Sequence, residues 1–242
     1  EKLKQVQIVD PERHTTRILN QMKTDLRLNK MPVHIECFDN SNIQGSNPVA
    51  SCIVFKNSKP SKKDYRHFNI KTVEGPDDYA SMEEVVYRRY RRMLDEKLSL
   101  PSLIIIDGGK GQLSSSIKAL KKLNLENTIA ILGIAKRLEE IFYPNDPIPL
   151  YLNKKSETLK VIQQMRNEAH RFAINFHRNK RSKQALTSSF DGIPGIGEKT
   201  KTALLKRFKS LKNIKETSLE LLISEVGESK AKKLKDFLNS MS

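Results

Sequence analysis

Two short apolar runs that each end in an aspartate constrain this chain more than any other feature. The first, Val33-His34-Ile35-Glu36-Cys37-Phe38, runs into Asp39. The second, Leu103-Ile104-Ile105-Ile106, runs into Asp107 and then at once into Gly108, Gly109, Lys110 and Gly111. A short, β-branched apolar run bounded by turn signals predicts a buried strand. A carboxylate at its end sits where the backbone is rigid and solvent begins. Two such ends on neighbouring strands can hold a hard divalent cation such as Mg²⁺ or Mn²⁺, which takes oxygen ligands and keeps several waters. One strand-end Asp alone is as good a turn former or helix cap. Two of them, closing two apolar strands, favour a shared site.

Charge narrows the chemistry. The 242 residues carry 44 Lys+Arg against 28 Asp+Glu, a formal net charge of +16. An excess of that size suits nucleic acid or an anionic surface. No apolar run approaches the ~20 residues of a membrane span. The N-terminus has no charged-then-apolar signal pattern, and its first residue is Glu1 rather than Met, which points to a piece of a longer polypeptide. The two cysteines, Cys37 and Cys52, both fall in predicted strands and are expected to be small buried hydrophobes of a reducing compartment, not a disulfide.

Along the chain, residues 1–30 predict a linker and helix with an apolar stripe at Ile18, Met22, Leu26 and Leu28. Strands are expected at 33–38, 49–55 and 65–73, with a loop at 57–63. A helix over 79–98 follows, opened by Asp77 and Asp78 and basic at its far end (Arg88, Arg89, Arg91, Arg92). A strand at 103–106, a helix from about Gln112, a strand at 128–134, a hairpin over 140–152 and a helix from Ser156 to about Arg178 complete the first region. The order β-β-β-α-β-α-β predicts an α/β fold, a mixed sheet flanked by helices of the RNase H-like kind. The domain is expected to span 31–185. Its last stretch, 179–189, is basic and Ser-containing and is expected to be a mobile linker. Residues 186–242 predict a small all-α domain.

Three further groups can carry chemistry. In the segment Arg166 to Arg178, His170 and His177 stand two turns apart on one helix face, and Arg171 and Arg178 form a second pair about 100° away. A neutral imidazole can ligate metal or move a proton, and guanidinium can clamp phosphate oxygens. Gly108-Gly109-Lys110-Gly111-Gln112 can cradle a phosphate on backbone N–H groups or simply be a tight strand-to-helix turn. It lacks the spacing and the Ser/Thr of a P-loop, which excludes a nucleotide triphosphatase. Tyr65, Arg66 and Lys71 are a weaker basic patch. Third, Ile193-Pro194-Gly195-Ile196-Gly197-Glu198-Lys199 ahead of an apolar helix is the helix-hairpin-helix pattern, which turns backbone N–H groups toward phosphates without reading sequence. A degraded copy, Val226-Gly227-Glu228-Ser229-Lys230, follows. An ordinary αα-hairpin is the plain alternative.

Several long segments in order carry a family resemblance: ECFDNSNIQG (36–45), VASCIVF (49–55), YRHFNIKTVEGPDDYASMEEV (65–85), LIIIDGGKGQL (103–113), RNEAHRFAINFHRNKRSK (166–183) and IPGIGEKTKTALLKRF (193–208). From about residue 31 to its end the chain resembles the C-terminal half of the UvrC family, the incision subunit of bacterial nucleotide excision repair. The resemblance implies an RNase H-like endonuclease domain with tandem helix-hairpin-helix motifs that cuts damaged double-stranded DNA on the 5′ side of the lesion, in the cytoplasm. It puts a catalytic triad at Asp39, Asp107 and His170, which would hold Mg²⁺ or Mn²⁺, and a further carboxylate at Asp78. Lys110, Arg171, His177, Arg178, Gly195, Gly197, Lys199 and Gly227 would then meet DNA. Other members often have His where this chain has Asn42, which argues against that position as an essential ligand. The family's N-terminal nuclease domain and the region that contacts UvrB have no counterpart in these residues. The competing class is a binding module, a DNA grip on an inert scaffold. Convergence of Asp39, Asp107 and His170 would discriminate the two.

Overall fold

The structure is a computed structural model that describes residues 11–41, 49–73, 75, 77–135, 140–190, 193, 195–208 and 210–240, with backbone alone at 41, 177–189, 211 and 240. Two compact units divide it, 1–176 and 177–242. In the first, a helix α1 (Pro11–Asp25) precedes β1 (His34–Ser41), β2 (Val49–Lys56), β3 (Lys59–Pro60) and β4 (Arg66–Asn69). Then come α2 (Asp78–Asp95), β5 (Leu103–Asp107), α3 (Lys110–Lys122), β6 (Ala130–Ile134), β7 (Ile141–Phe142) and α4 (Glu157–Ser189), whose residues from His177 on belong to the second unit. One sheet holds these seven strands in the order β3-β2-β1-β5-β6-β7, with β4 also paired to β2. β1, β2 and β4 run antiparallel; β5 and β6 run parallel to β1. That is the mixed, helix-flanked, RNase H-like arrangement expected from the sequence.

Strand parity decides what each face of the sheet holds. On one face Glu36 and Phe38 meet α2: Arg89 and Tyr90 bond Glu36, and the Phe38 and Tyr90 rings lie 6.1 Å apart edge to face. On the other, Asp39 and its cross-strand partner Ser51 meet α4 through His170 and the carbonyl of Ala169. Both faces are covered, so β1, β2 and β5 are buried almost throughout and read as continuous apolar runs. Cys37 and Cys52 are free, buried thiols, as expected.

α2 follows from its sequence. Asp77 caps it, Oδ1 accepting from the N–H groups of Tyr79 and Ala80 at 2.9 Å each. Met82, Val85, Val86, Tyr90 and Met93 recur at helical spacing and are buried.

Three expectations need correction. The third strand is shorter than 65–73 because Glu84 takes the backbone N–H groups of Lys71 and Thr72, which end the ladder. The loop at 57–63 contains the two-residue β3 and leads into a 3₁₀ turn at Lys62–Asp64. The segment 179–189 is helical rather than irregular. The backbone of α4 stays helical through Ser189, because its basic residues, Gln184 and Ala185 are good helix formers and no Gly or Pro occurs before Gly192.

In the second unit α5 (Glu198–Phe208), α6 (Leu211–Glu216), α7 (Leu219–Val226) and α8 (Glu228–Ser240) enclose Phe190, Ile196, Leu204, Ile214, Leu222, Ala231 and Leu234. Two turns repeat. Gly197 and Gly227 each stand one residue ahead of a helix, and each carbonyl accepts from the N–H four residues on, of Lys201 and of Ala231, at 3.0 Å. Gly195 (φ +89°) and Gly227 (φ +84°) occupy backbone that side chains rarely adopt. Where the first repeat has Gly195, the second has Glu225, which pairs with Arg207 at 2.8 Å.

Candidate active site

Asp39 lies within β1 and Asp107 at the last residue of β5. The parallel register pairs them directly, so both carboxylates leave the same face of the sheet on neighbouring strands. Asp39 is 1% exposed and Asp107 3%. Burying two like charges side by side is costly unless a positive group or a metal answers them. Their field reaches inward. The Cys37 thiol, two residues before Asp39 on the same face, is pushed well above its ordinary value first by burial, then by Asp107 and Asp39.

α4 crosses this face and brings the other groups. His170 Nδ1 lies 3.5 Å from Asp39 Oδ2, with the imidazole half exposed. Arg166, one turn earlier, is close enough for its charge to oppose the two aspartates at Cys37. The sequence singled out His170 and not Arg166; the i, i+4 spacing was the available signal.

Three ties to the sheet seat this part of α4. Ser51 Oγ donates to Ala169 O at 3.1 Å. His67 stacks between Phe172 and Phe176, at centroid distances of 3.7 and 4.3 Å, with Nε2 at 3.1 Å from Phe172 O. The Tyr65 ring meets Phe172 edge to face at 5.1 Å. His67 pairs with Ser51 and Ser51 with Asp39, so one row of the sheet carries His67, Ser51, Asp39 and Asp107 beneath the helix.

The remaining candidates are placed as follows. Asp78 opens α2, and its carbonyl accepts from Asn40 Nδ2 at 2.9 Å, tying that turn to β1 one residue past Asp39. Asp77 is the cap and not a ligand candidate. Lys110 turns to the hairpin, with Nζ donating to Pro147 O at 2.8 Å and lying 5.1 Å from the centre of the Phe142 ring. Arg171 is bidentate to Glu168, at 2.7 Å for both bonds. The side chains of His177 and Arg178, and residues 42–48 with Asn42, lie outside the described residues. Gly195, Gly197, Lys199 and Gly227 are in the second unit, at the two repeated turns.

Gly108, Gly109 and Gly111 do not adopt positive φ. They serve by lacking a side chain: Gln112 folds over Gly108, and the Tyr79 ring lies on Gly111. Gly109 is the N-cap of α3, so the segment is a tight strand-to-helix turn.

Among the described residues no three His, Cys, Asp or Glu side chains form a ready-made metal cluster. The two adjacent buried carboxylates nevertheless fit a hard cation, which binds through one or two carboxylates and fills its shell with water and substrate oxygens. No described helix is long and apolar enough to cross a membrane.

The UvrC RNAse H endonuclease domain matches residues 23–174, and a helix-hairpin-helix motif matches 190–242. The UvrABC system protein C of Flavobacterium psychrophilum is 69% identical over 241 residues, covering 100% of this chain and 40% of that protein. That of Porphyromonas gingivalis W83 is 56% identical over 234 residues, covering 97% and 39%. This chain thus spans about 40% of the length of those relatives. A solved structure of Ciona intestinalis endonuclease V with inosine-containing DNA matches at TM-score 0.35 and 15% identity, over 64% of this chain and 67% of that one, too distant to build on. Two domain models in the order the folded units require, and relatives this similar along the whole length, place the chain in the UvrC family.

Proposed function

We propose that this chain is the part of a UvrC protein that makes the 5′ incision in nucleotide excision repair, as a divalent-metal-dependent DNA endonuclease. The observation that carries the proposal is the direct pairing of Asp39 with Asp107 on one sheet face, with His170 Nδ1 at 3.5 Å. An inert scaffold gives no reason to bury two like charges side by side.

Asp39 and Asp107 would hold Mg²⁺ or Mn²⁺, with His170 beside Asp39. Such an ion, when bound, polarises phosphoryl oxygens and lowers the pKa of an attacking water. The chain's own groups do the rest. His170, exposed to solvent, can take or give a proton at the reacting phosphate. Arg166 puts positive charge on the same side, where phosphate charge must be balanced. Asp78 stands at the head of a turn tied to β1 and would add a further carboxylate to the site. Lys110 and Arg171, engaged with Pro147 and Glu168, would meet DNA only by exchanging those bonds. The hairpin at Gly195–Lys199 would grip phosphates of either strand through backbone N–H groups, independent of sequence. Damaged duplex is the proposed substrate and UvrB, on the wider protein, the proposed partner, in the cytoplasm.

The test is nicking of a lesion-bearing duplex, prenicked on its 3′ side and loaded with UvrB, with Mg²⁺ or Mn²⁺. Cutting by wild type and not by His170→Ala, at equal duplex binding, is expected. Binding without cutting by wild type would leave only the grip.

A further inference from the structure

The rim of the carboxylate pair carries an aromatic side chain that the proposed chemistry does not use. Tyr79, second residue of α2, is 57% exposed. Its backbone is fixed by the Asp77 cap, and the carbonyl just before it accepts from Asn40, the residue after Asp39. Its ring reaches over the first turn of α3, four residues past Asp107: a Cβ on Gly111 would stand 2.7 Å from Tyr79 Cζ and 3.0 Å from its hydroxyl oxygen. A glycine therefore leaves the space in which the ring lies. The result is a large, rigidly based aromatic held open to solvent between two turns that adjoin the carboxylates.

We propose that Tyr79 is a stacking platform for a nucleobase of the DNA strand being cut. The occupant follows from charge. A chain of net charge +16 draws an anionic strand to its surface. Every unpaired base then offers a flat face to an aromatic ring, whatever its sequence. A base held there would fix the strand next to Asp39 and Asp107, turning a loosely attracted phosphate into a positioned one. The inference rests on the nuclease proposed above and adds the group that orients its substrate.

The chain has no tryptophan, so Tyr79→Trp introduces a single reporter. Titration with a duplex carrying a short unpaired bubble, in chelator so that nothing is cut, should quench its emission. In Tyr79→Trp with Gly111→Ala the displaced ring should lose most of the quench, while the fold is kept because a helical Ala replaces a Gly whose φ is ordinary. Affinity by anisotropy of the labelled DNA should fall roughly tenfold in Tyr79→Ala and stay within twofold in Tyr79→Phe. The salt slope should be unchanged, since no phosphate contact is lost.

Unquenched emission at saturating DNA, or Tyr79→Ala binding as wild type, would overturn the platform. So would a Tyr79→Phe loss equal to that of Tyr79→Ala, which would mean a hydroxyl contact. The readout needs no incision. A chain that stacks bases but never cuts would sink the nuclease proposal alone, and one that cuts without stacking would sink only this one.

Discussion

Glu36 and Asp39 lie three residues apart on β1, equally buried, and face opposite sides of the sheet. Glu36 is surrounded by donors. Arg89 Nε and Nη2 reach it at 3.1 and 2.5 Å, Tyr90 donates at 3.0 Å, and His34 Nε2 lies at 3.4 Å. Burial alone would raise its carboxyl, but the adjacent His34 imidazole and the hydrogen-bonded Arg89 guanidinium bring it down to about 2. Asp39 has a second carboxylate on the neighbouring strand and an imidazole half in solvent. The first arrangement is complete and holds α2 to the sheet. The second sets two buried carboxylates side by side under an imidazole that is half in solvent, which suits a ligand that arrives from outside. A buried charge of the first kind serves the fold, and one of the second kind serves chemistry at a cost to the fold.

The largest effect that this contrast predicts is on incision. Asp39→Asn or Asp107→Asn should lower the cutting rate on the order of 10⁴-fold, about 5 kcal/mol in the barrier, with duplex binding within threefold. Glu36→Gln should cut at a rate within tenfold of wild type once corrected for the folded fraction. If the two faces lost activity alike, the division of labour would be wrong.

Next comes the closed network. Arg89→Leu leaves a buried carboxylate without its main counter-charge and should cost about 3–5 kcal/mol in urea unfolding. Adding Glu36→Leu should restore most of that, since two apolar groups can replace a buried pair. A double variant as unstable as the single would mean that the pair itself is not the cause.

How much of this was legible beforehand differs between the two faces. The apolar runs announced β1 and β5 and their aspartates, although β1 continues two residues past Asp39, to Ser41. That Asp39 and Asp107 are register partners depends on a crossover through α2, which no local pattern encodes. Glu36 and Arg89 were passed over, although each breaks a rule: a carboxylate inside an apolar strand, and a guanidinium on the buried stripe of α2. Arg89 was counted with Arg88, Arg91 and Arg92 as a basic helix end, but it is 8% exposed while Arg91 and Arg92 are exposed and paired along the helix. Partners 53 residues apart leave no mark on either neighbourhood. The basic stretch after Asn179 misled in the opposite sense, because composition suggested a linker where helix propensity governed the backbone.

Acid should separate the faces further. Glu36 binds its proton less tightly in the folded chain than the ordinary 4.5 of an unfolded one. Its contribution, on the order of 3 kcal/mol, is therefore full above about pH 4.5 and is lost as pH falls toward 2. Urea midpoints measured from pH 5 downward should drop steeply in wild type and shallowly in Glu36→Leu with Arg89→Leu. Parallel slopes would mean that other carboxylates dominate acid unfolding.

The smallest effect is the most diagnostic, because it runs against the usual direction of mutation. If Asp39 and Asp107 repel one another in the absence of a cation, neutralising one relieves the fold while it destroys the site. In chelator, Asp107→Asn should melt above wild type by about 2–4 °C, the shift that roughly 1 kcal/mol makes in a unit of this size. Adding Mn²⁺ should then raise the wild-type midpoint, because a ligand bound only by the folded state stabilises it, and should leave the variant nearly unmoved. The order of the two midpoints would reverse as the metal is titrated in. A variant that melts below wild type in chelator would show that Asp107 belongs to a closed network like that of Glu36, and the contrast between the two faces would collapse.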